Sequence, residues 1–362
     1  MTPSSPPPHR AGPPGGAGGT GTEAPDGPDG PDRSFPAFVV TGTGDGMRSG
    51  VARLTMDDLP EGDVVVGVSW SAVNYKDGMV TRPGNRVART SPLVPGVDLV
   101  GTVVASQAPD VAVGSDVVVH GYDLGVSRHG GFARFARVPA GWVVPLPDGL
   151  TLRRAAILGT AGFTAALSLH RLEEHGLRPG DGPVLVTGAS GGVGGMAVAL
   201  CAARGYDVVA STGRTSEHAY LTGLGAAEVI GRDDLVVATD RTLGPERWAG
   251  AIDCVGGPTL AAVLRTLRHG AAVAASGLTG GAQLETTVYP FIVRDAALLG
   301  VDTVRTPIDE RRSVWVEMAA SFPPDVLDAL VDGEVDLDGL APVLDSILAG
   351  RVRGRMLVRP GG

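Results

Sequence analysis

Residues 70–79 read WSAVNYKDGM and set an asparagine, a tyrosine, a lysine and an aspartate side by side after an apolar run. Lys76 is the only lysine in the 362-residue chain. A phenol O–H on Tyr75 and an amide on Asn74 can each donate to a developing oxyanion or to a bound cofactor. A half-buried tyrosine at a strand end can equally satisfy its hydroxyl locally. Asp77, taken as exposed and ionised, suits orienting backbone or Lys76 better than acting as an acid. For Lys76 the simplest reading is a surface ion pair with Asp77.

A second stretch, VLVTGASGGVGGMAVALCAARG, runs from an apolar strand into a glycine-rich turn over 188–194 and then into a helix beginning near Gly192. Glycines let backbone N–H groups of Gly188, Ala189, Ser190, Gly191, Gly192, Val193 and Gly194 approach a pyrophosphate, and a helix N-terminus favours its charge. The spacing is not a strict G-x-G-x-x-G, because Ala189 and Ser190 stand among the first glycines. The strand before it and the helix after it make the turn a dinucleotide cradle.

The end of the next strand, VVASTGRTSEH, selects the cofactor. No acid stands at 211–213 to take a ribose 2′-hydroxyl, and Arg214, Thr215 and Ser216 follow at once. A guanidinium flanked by hydroxyls suits a phosphate monoester, so the cofactor expected is NADPH. A solvated turn arginine is the alternative for Arg214. Arg232, after the third strand, lines the same edge.

The surrounding pattern supplies what must position these residues. From Phe35 to about Pro147, short valine-rich runs alternate with Gly, Pro and Asp turns, the texture of a small, partly closed β-domain. After a helical stretch near 151–177, strands and helices alternate in the βαβ rhythm of a doubly wound parallel sheet. Residues 308–331 read as a helical stretch, and RMLV near the C-terminus has no βαβ partner, which suits a return to the first domain. Residues 1–33, rich in Pro and Gly, cannot bury apolar surface and are expected to be a disordered tail. A formal charge of −9 opposes nucleic-acid binding. Two separated cysteines in apolar segments and no apolar run of membrane-spanning length imply a reducing, cytoplasmic setting without a membrane. The seven histidines lack zinc-ligand spacing, so no metal is expected.

In order, NYKDGM, PLVPGVDLVGTV, GGFARFARV, ILGTAGFTAAL, the 184–214 segment and AIDCVGG resemble the medium-chain dehydrogenase/reductase superfamily over about residues 36–359. More closely they resemble its zinc-free acrylyl-CoA reductase branch, which also carries quinone oxidoreductase names. That resemblance implies a GroES-like catalytic unit over 34–157 plus 301–362, a Rossmann unit over 158–300, and an active site between them. It implies reduction of acryloyl-CoA to propionyl-CoA by NADPH, with quinone or enone reduction as the alternative. Zinc-dependent relatives carry a histidine–glutamate pair at the turn that here reads Val97–Asp98. In the family pattern Tyr75 donates the proton or positions the nicotinamide, with Asn74 and Asp77 beside it. Thr160 and Thr164 then contact cofactor or substrate, or cap a helix, and the Leu278 backbone meets the carboxamide. Arg82, Arg86 and Arg89, with Arg353 and Arg355, are the cations available to coenzyme A phosphates. A homodimer across Rossmann edge strands is a family expectation.

Overall fold

The computed structural model describes residues 34–237 and 242–361; the tail expected over 1–33 lies outside the described residues. Two strands, β1 (Phe35–Thr41) and β2 (Arg48–Leu54), pair as an antiparallel ribbon. Next come β3 (Val64–Ala72), the short helix α1 (Tyr75–Val80), β4 (Asp98–Ser106), β5 (Asp116–His120), β6 (Phe135–Val138) and β7 (Val144–Pro145). Their alternating valines fill a core of Val64, Val66, Leu99, Val103, Val117 and Val119. β-branched side chains with few aromatics make that core from many small contacts.

A long helix, α2 (Leu152–Glu174), carries the chain into the second layer and breaks its geometry at Gly159, where φ is 44° and ψ is −151°. Glycine alone adopts that conformation cheaply. The second unit alternates β8 (Val184–Thr187), α3 (Gly192–Ala203), β9 (Val208–Thr212), α4 (His218–Gly223), β10 (Glu228–Gly231), α5 (Arg232–Val237), β11 (Trp248–Asp253), α6 (Gly257–Thr266), β12 (Leu267–Ala275), α7 (Tyr289–Arg294) and β13 (Ala297–Gly300). All five of its strand pairings are parallel, in the order β10-β9-β8-β11-β12-β13. This is the doubly wound sheet the βαβ rhythm predicts. Its order reverses beside β8, so the crevice outside the strands' carboxyl ends opens next to the glycine turn.

The helical stretch at 308–331 is divided in two. It forms α8 (Ile308–Ser321) and α9 (Pro324–Ala329), then enters β14 (Val331–Asp336). Pro323 and Pro324 cannot continue an α-helical ladder, which accounts for the break. After α10 (Leu340–Leu348), β15 (Arg355–Arg359) pairs antiparallel with β3 and parallel with β14, closing the first-domain sheet with the chain's last residues. No helix of the described residues is long and apolar enough to cross a membrane.

Candidate active site

Asn74 sits between the end of β3 and the start of α1. Its backbone N–H donates to Asp77 Oδ2 at 2.8 Å, while Asp77 Oδ1 accepts from the N–H groups of Gly96 and Val97 at 3.1 and 3.0 Å. Asp77 is therefore not the exposed carboxylate read from the sequence. It is fully buried and fastens α1 to the turn before β4. Burial pushes its carboxyl up to about 7, with the N–H of Asn74 pulling the other way and the nearby Asp98 charge adding to the rise. The ion pair expected between Lys76 and Asp77 does not form, since both Asp77 oxygens are spent on backbone.

A carboxyl whose pKa is raised on folding binds its proton more tightly in the native state. Its contribution to stability is complete below about 4 and is lost as pH rises toward 7. Asp77→Asn should therefore cost more stability at pH 5 than at pH 7.5, on top of about 1–3 kcal/mol for setting an amide N–H₂ against a backbone N–H. Urea denaturation at the two pH values measures both. An equal penalty at each pH would remove the titration.

The side chain of Asn74 faces inward. Its Nδ2 donates to Asp98 Oδ2 at 2.8 Å and to Ala72 O at 3.2 Å, and its Oδ1 accepts from Arg355 Nη1 at 3.1 Å. With both amide hydrogens committed, Asn74 is not the free donor to substrate or cofactor that the sequence suggested. Thr160 likewise turns inward: its N–H and Oγ1 donate to Asp98 Oδ1 at 2.8 and 2.6 Å, and Thr164 Oγ1 donates to the Thr160 carbonyl at 2.6 Å. The Asp98 carboxylate thus caps the limb of α2 beyond Gly159. Tyr75, by contrast, is half-buried, and its hydroxyl makes no hydrogen bond to another described residue.

The glycine turn has the form a pyrophosphate needs. Gly191 is the N-cap of α3 and supplies no side-chain cap, and the N–H groups of Gly192, Val193 and Gly194 have no backbone partner among the described residues. A β-carbon on Gly194 would lie 2.3 Å from the Gly188 carbonyl oxygen. At the rim, Ser190 Oγ pairs with Thr212 Oγ1 at 2.9 Å and accepts from Arg214 Nη2 at 2.9 Å. Arg214 Nη2 also reaches Ser190 O and Val352 O, at 3.1 and 3.2 Å. Arg232 Nη2 lies 3.0 Å from where a β-carbon of Gly213 would sit, so its guanidinium stands at the end of β9. Thr215 and Ser216 are exposed beside them. Leu278, on the loop after β12, is exposed and its N–H has no backbone partner among the described residues, while Gly280 N–H holds the loop on Val255 O at 2.8 Å.

The arginines set aside for coenzyme A divide. Arg82, Arg89 and Arg353 are paired with Asp345, Asp123 and Asp332. Arg355 is not a surface cation at all: it is 2 % exposed and bonded to Asp98 at 3.1 Å. Of the five, only Arg86 is exposed without a side-chain partner among the described residues. Sequence reasoning passed over Asp98 as a bare absence of zinc ligands. Its one visible signal was an acid opening an apolar strand, VDLVGTVV.

An alcohol dehydrogenase GroES-like domain matches residues 60–148, and a zinc-binding dehydrogenase domain matches residues 192–320. The acrylyl-CoA reductase AcuI of Ruegeria pomeroyi is 47 % identical over 86 % of this chain and 94 % of its own. The chain belongs to the medium-chain dehydrogenase/reductase superfamily. YhfP of Bacillus subtilis, whose name assigns it provisionally to the quinone oxidoreductases, is 47 % identical over 90 % of this chain and 98 % of its own. Its NAD-bound crystal structure superposes with a TM-score of 0.87, covering 90 % of this chain and 99 % of that one. The NADPH-bound structure of YhdH from E. coli K-12, 43 % identical with the same coverages, gives 0.86. This member of the medium-chain dehydrogenase/reductases is an oxidoreductase of the group whose names span enoyl-thioester and quinone reduction. The zinc of the domain's name finds no ligand set: among the described residues no three His, Cys, Asp or Glu side chains converge to hold a metal. His120, at the end of β5, is occupied by Trp315 Nε1 at 2.8 Å and by Arg311.

Proposed function

We propose that this medium-chain reductase works in the cytoplasm and uses NADPH to reduce the carbon–carbon double bond of a short 2-enoyl-CoA, acryloyl-CoA to propionyl-CoA foremost. The observation that carries the reading is the Tyr75 hydroxyl, without a partner among the described residues, on a segment pinned beside the glycine turn. Arg355 Nη1 lies 3.1 Å from Asn74 Oδ1 and 3.4 Å from the β-position of Gly192, so one guanidinium separates the turn from Asn74. Amides of the 188–194 turn would hold the pyrophosphate, Arg214, Arg232 and Ser216 the 2′-phosphate, and the Leu278 N–H the carboxamide. When bound there, NADPH would supply the hydride that the β-carbon of the alkene receives. Tyr75 then donates its proton to the α-carbon of the resulting enolate and recovers one from water. Arg86 remains available to a coenzyme A phosphate.

Steady-state NADPH oxidation with acryloyl-CoA and with a benzoquinone tests the substrate class; a kcat/KM for quinone equal to or above that for the thioester defeats it. The engagement of Arg82, Arg89, Arg353 and Arg355 elsewhere favours the second reading, quinone reduction, which requires no phosphate cations.

Arg214→Ala should reduce the preference for NADPH over NADH by about ten- to a hundredfold, the worth of a charge-assisted phosphate contact. Competing titrations of the two cofactors measure it. An undiminished preference would pass the role to Arg232.

A homodimer is proposed across β13, an edge strand of its sheet, beside which Val288, Val293 and Leu298 are exposed and Ile292 is 72 % exposed. Light scattering should show a dimer for the wild type and a monomer for Ile292→Asp. A monomeric wild type ends that proposal.

A further inference from the structure

We propose that the buried Asp98–Arg355 pair is a mechanical link through which occupancy of the glycine turn fixes the orientation of the Asn74–Asp77 segment. Both are positioning residues in this reading, which rests on the glycine turn being the nucleotide seat.

Four segments of chain meet at the pair. Asp98 opens β4 and Arg355 opens β15; Asn74 precedes α1, and Thr160 follows the break in α2. The carboxylate is saturated: Oδ1 accepts twice from Thr160, and Oδ2 accepts from Asn74 Nδ2 and Arg355 Nη2. The guanidinium donates from Nε to Ile157 O at 2.9 Å and from Nη1 to Asn74 Oδ1 at 3.1 Å and Val73 O at 3.4 Å. Asp98 and Arg355 are 1 % and 2 % exposed. A buried ion pair seldom stabilises a fold more than apolar residues of the same volume, so stability alone does not explain one in a valine-rich interior.

What the pair touches supplies the reason. The N–H of Gly354, the residue before Arg355, donates to Ser190 O within the glycine turn at 3.0 Å. Arg355 Cδ and Nη1 each lie 3.4 Å from the β-position of Gly192, the first residue of α3. A guanidinium is a rigid planar fork and moves as one piece. Displacing the turn by a few tenths of an ångström therefore reaches Asn74 and Val73 through bonds already made. The same carboxylate holds the Thr160 N–H, so the α2 break shares the linkage. Close packing transmits such shifts rather than absorbing them.

The test is amide hydrogen exchange on the full chain with 2′-phospho-ADP-ribose, which carries the pyrophosphate and 2′-phosphate of NADP but no nicotinamide to touch Tyr75. Saturating probe should slow exchange in a peptide over residues 72–80 by about fivefold in the wild type, the low end of ordinary coupling between sites. Arg355→Lys keeps the charge and loses the fork; Asp98→Asn keeps the shape and loses the charge. In each, the probe should still protect the peptide over 188–196 while protection over 72–80 disappears. A merely structural pair would lower the melting temperature and leave that protection in place, which overturns the link. So does a wild type protected over 188–196 and not over 72–80, an outcome that needs no variant to fold. Absence of protection over 188–196 in the wild type removes the nucleotide seat itself, and the link with it.

Discussion

Gly194→Ala is expected to weaken NADPH binding by about a hundredfold or more while the protein keeps its α/β circular dichroism. The added methyl would stand 2.3 Å from the Gly188 carbonyl oxygen and 2.6 Å from the Ala189 α-carbon. Both are backbone atoms, so neither can swing aside as a side-chain tip would. The turn and the first turn of α3 must separate, and the N–H groups of residues 192–194 then diverge from a common phosphate. Losing two charge-assisted hydrogen bonds at about 1.5–3 kcal/mol each accounts for the expected loss. Overpacking adds about 1–3 kcal/mol of destabilisation. Gly195→Ala is the control, because its methyl would meet side-chain atoms of Leu330 and Tyr220 at 3.0 Å and the nearest backbone atom, Ala189 O, only at 3.6 Å. NADPH fluorescence titration of the two variants settles the matter. Equal affinities in Gly194→Ala and the wild type would mean the dinucleotide lies elsewhere.

The turn was legible in the sequence because its chemistry is local. Strand, glycines and helix succeed one another along the chain, and backbone N–H groups need no distant partner to become a phosphate site. The doubly wound sheet was legible for a similar reason, since apolar runs of strand length alternating with helical periods specify parallel crossovers. What the sequence concealed is the polar interior. Arg355 lies 257 positions from Asp98, and an arginine among surface arginines carries no mark of the carboxylate that will bury it. Asp77 stands beside Lys76 and reads as its partner until the turn at Gly96 and Val97, some twenty positions on, folds over it and offers two N–H groups. The helical stretch read over 308–331 is helical as expected, and its division into two helices had a local signal, the proline pair at 323–324. The long-range contacts required the fold, whereas that division could be read from proline alone.

Tyr75→Phe should lower kcat by tenfold or more with little change in NADPH affinity. Hydride addition to the β-carbon of an enoyl thioester leaves a pair of electrons on the enolate, and the reaction is complete only when a proton reaches the α-carbon. Asn74 cannot supply it, because both hydrogens of its amide are bound to Asp98 and Ala72. Asp77 cannot either, because it is fully buried and both its oxygens face backbone N–H groups. Lys76 stands on the same short helix, but 100° farther round from Tyr75 by helical geometry. Among the described residues the Tyr75 hydroxyl and the Lys76 ammonium are both without a partner, and the proton is assigned here to the Tyr75 phenol. Were its task instead to seat the nicotinamide, Tyr75→Phe would raise the apparent KM for NADPH and leave kcat near the wild-type value. The division between kcat and KM therefore separates proton donor from positioner. A variant with both constants unchanged would show that the enolate takes its proton from water without help from this side chain.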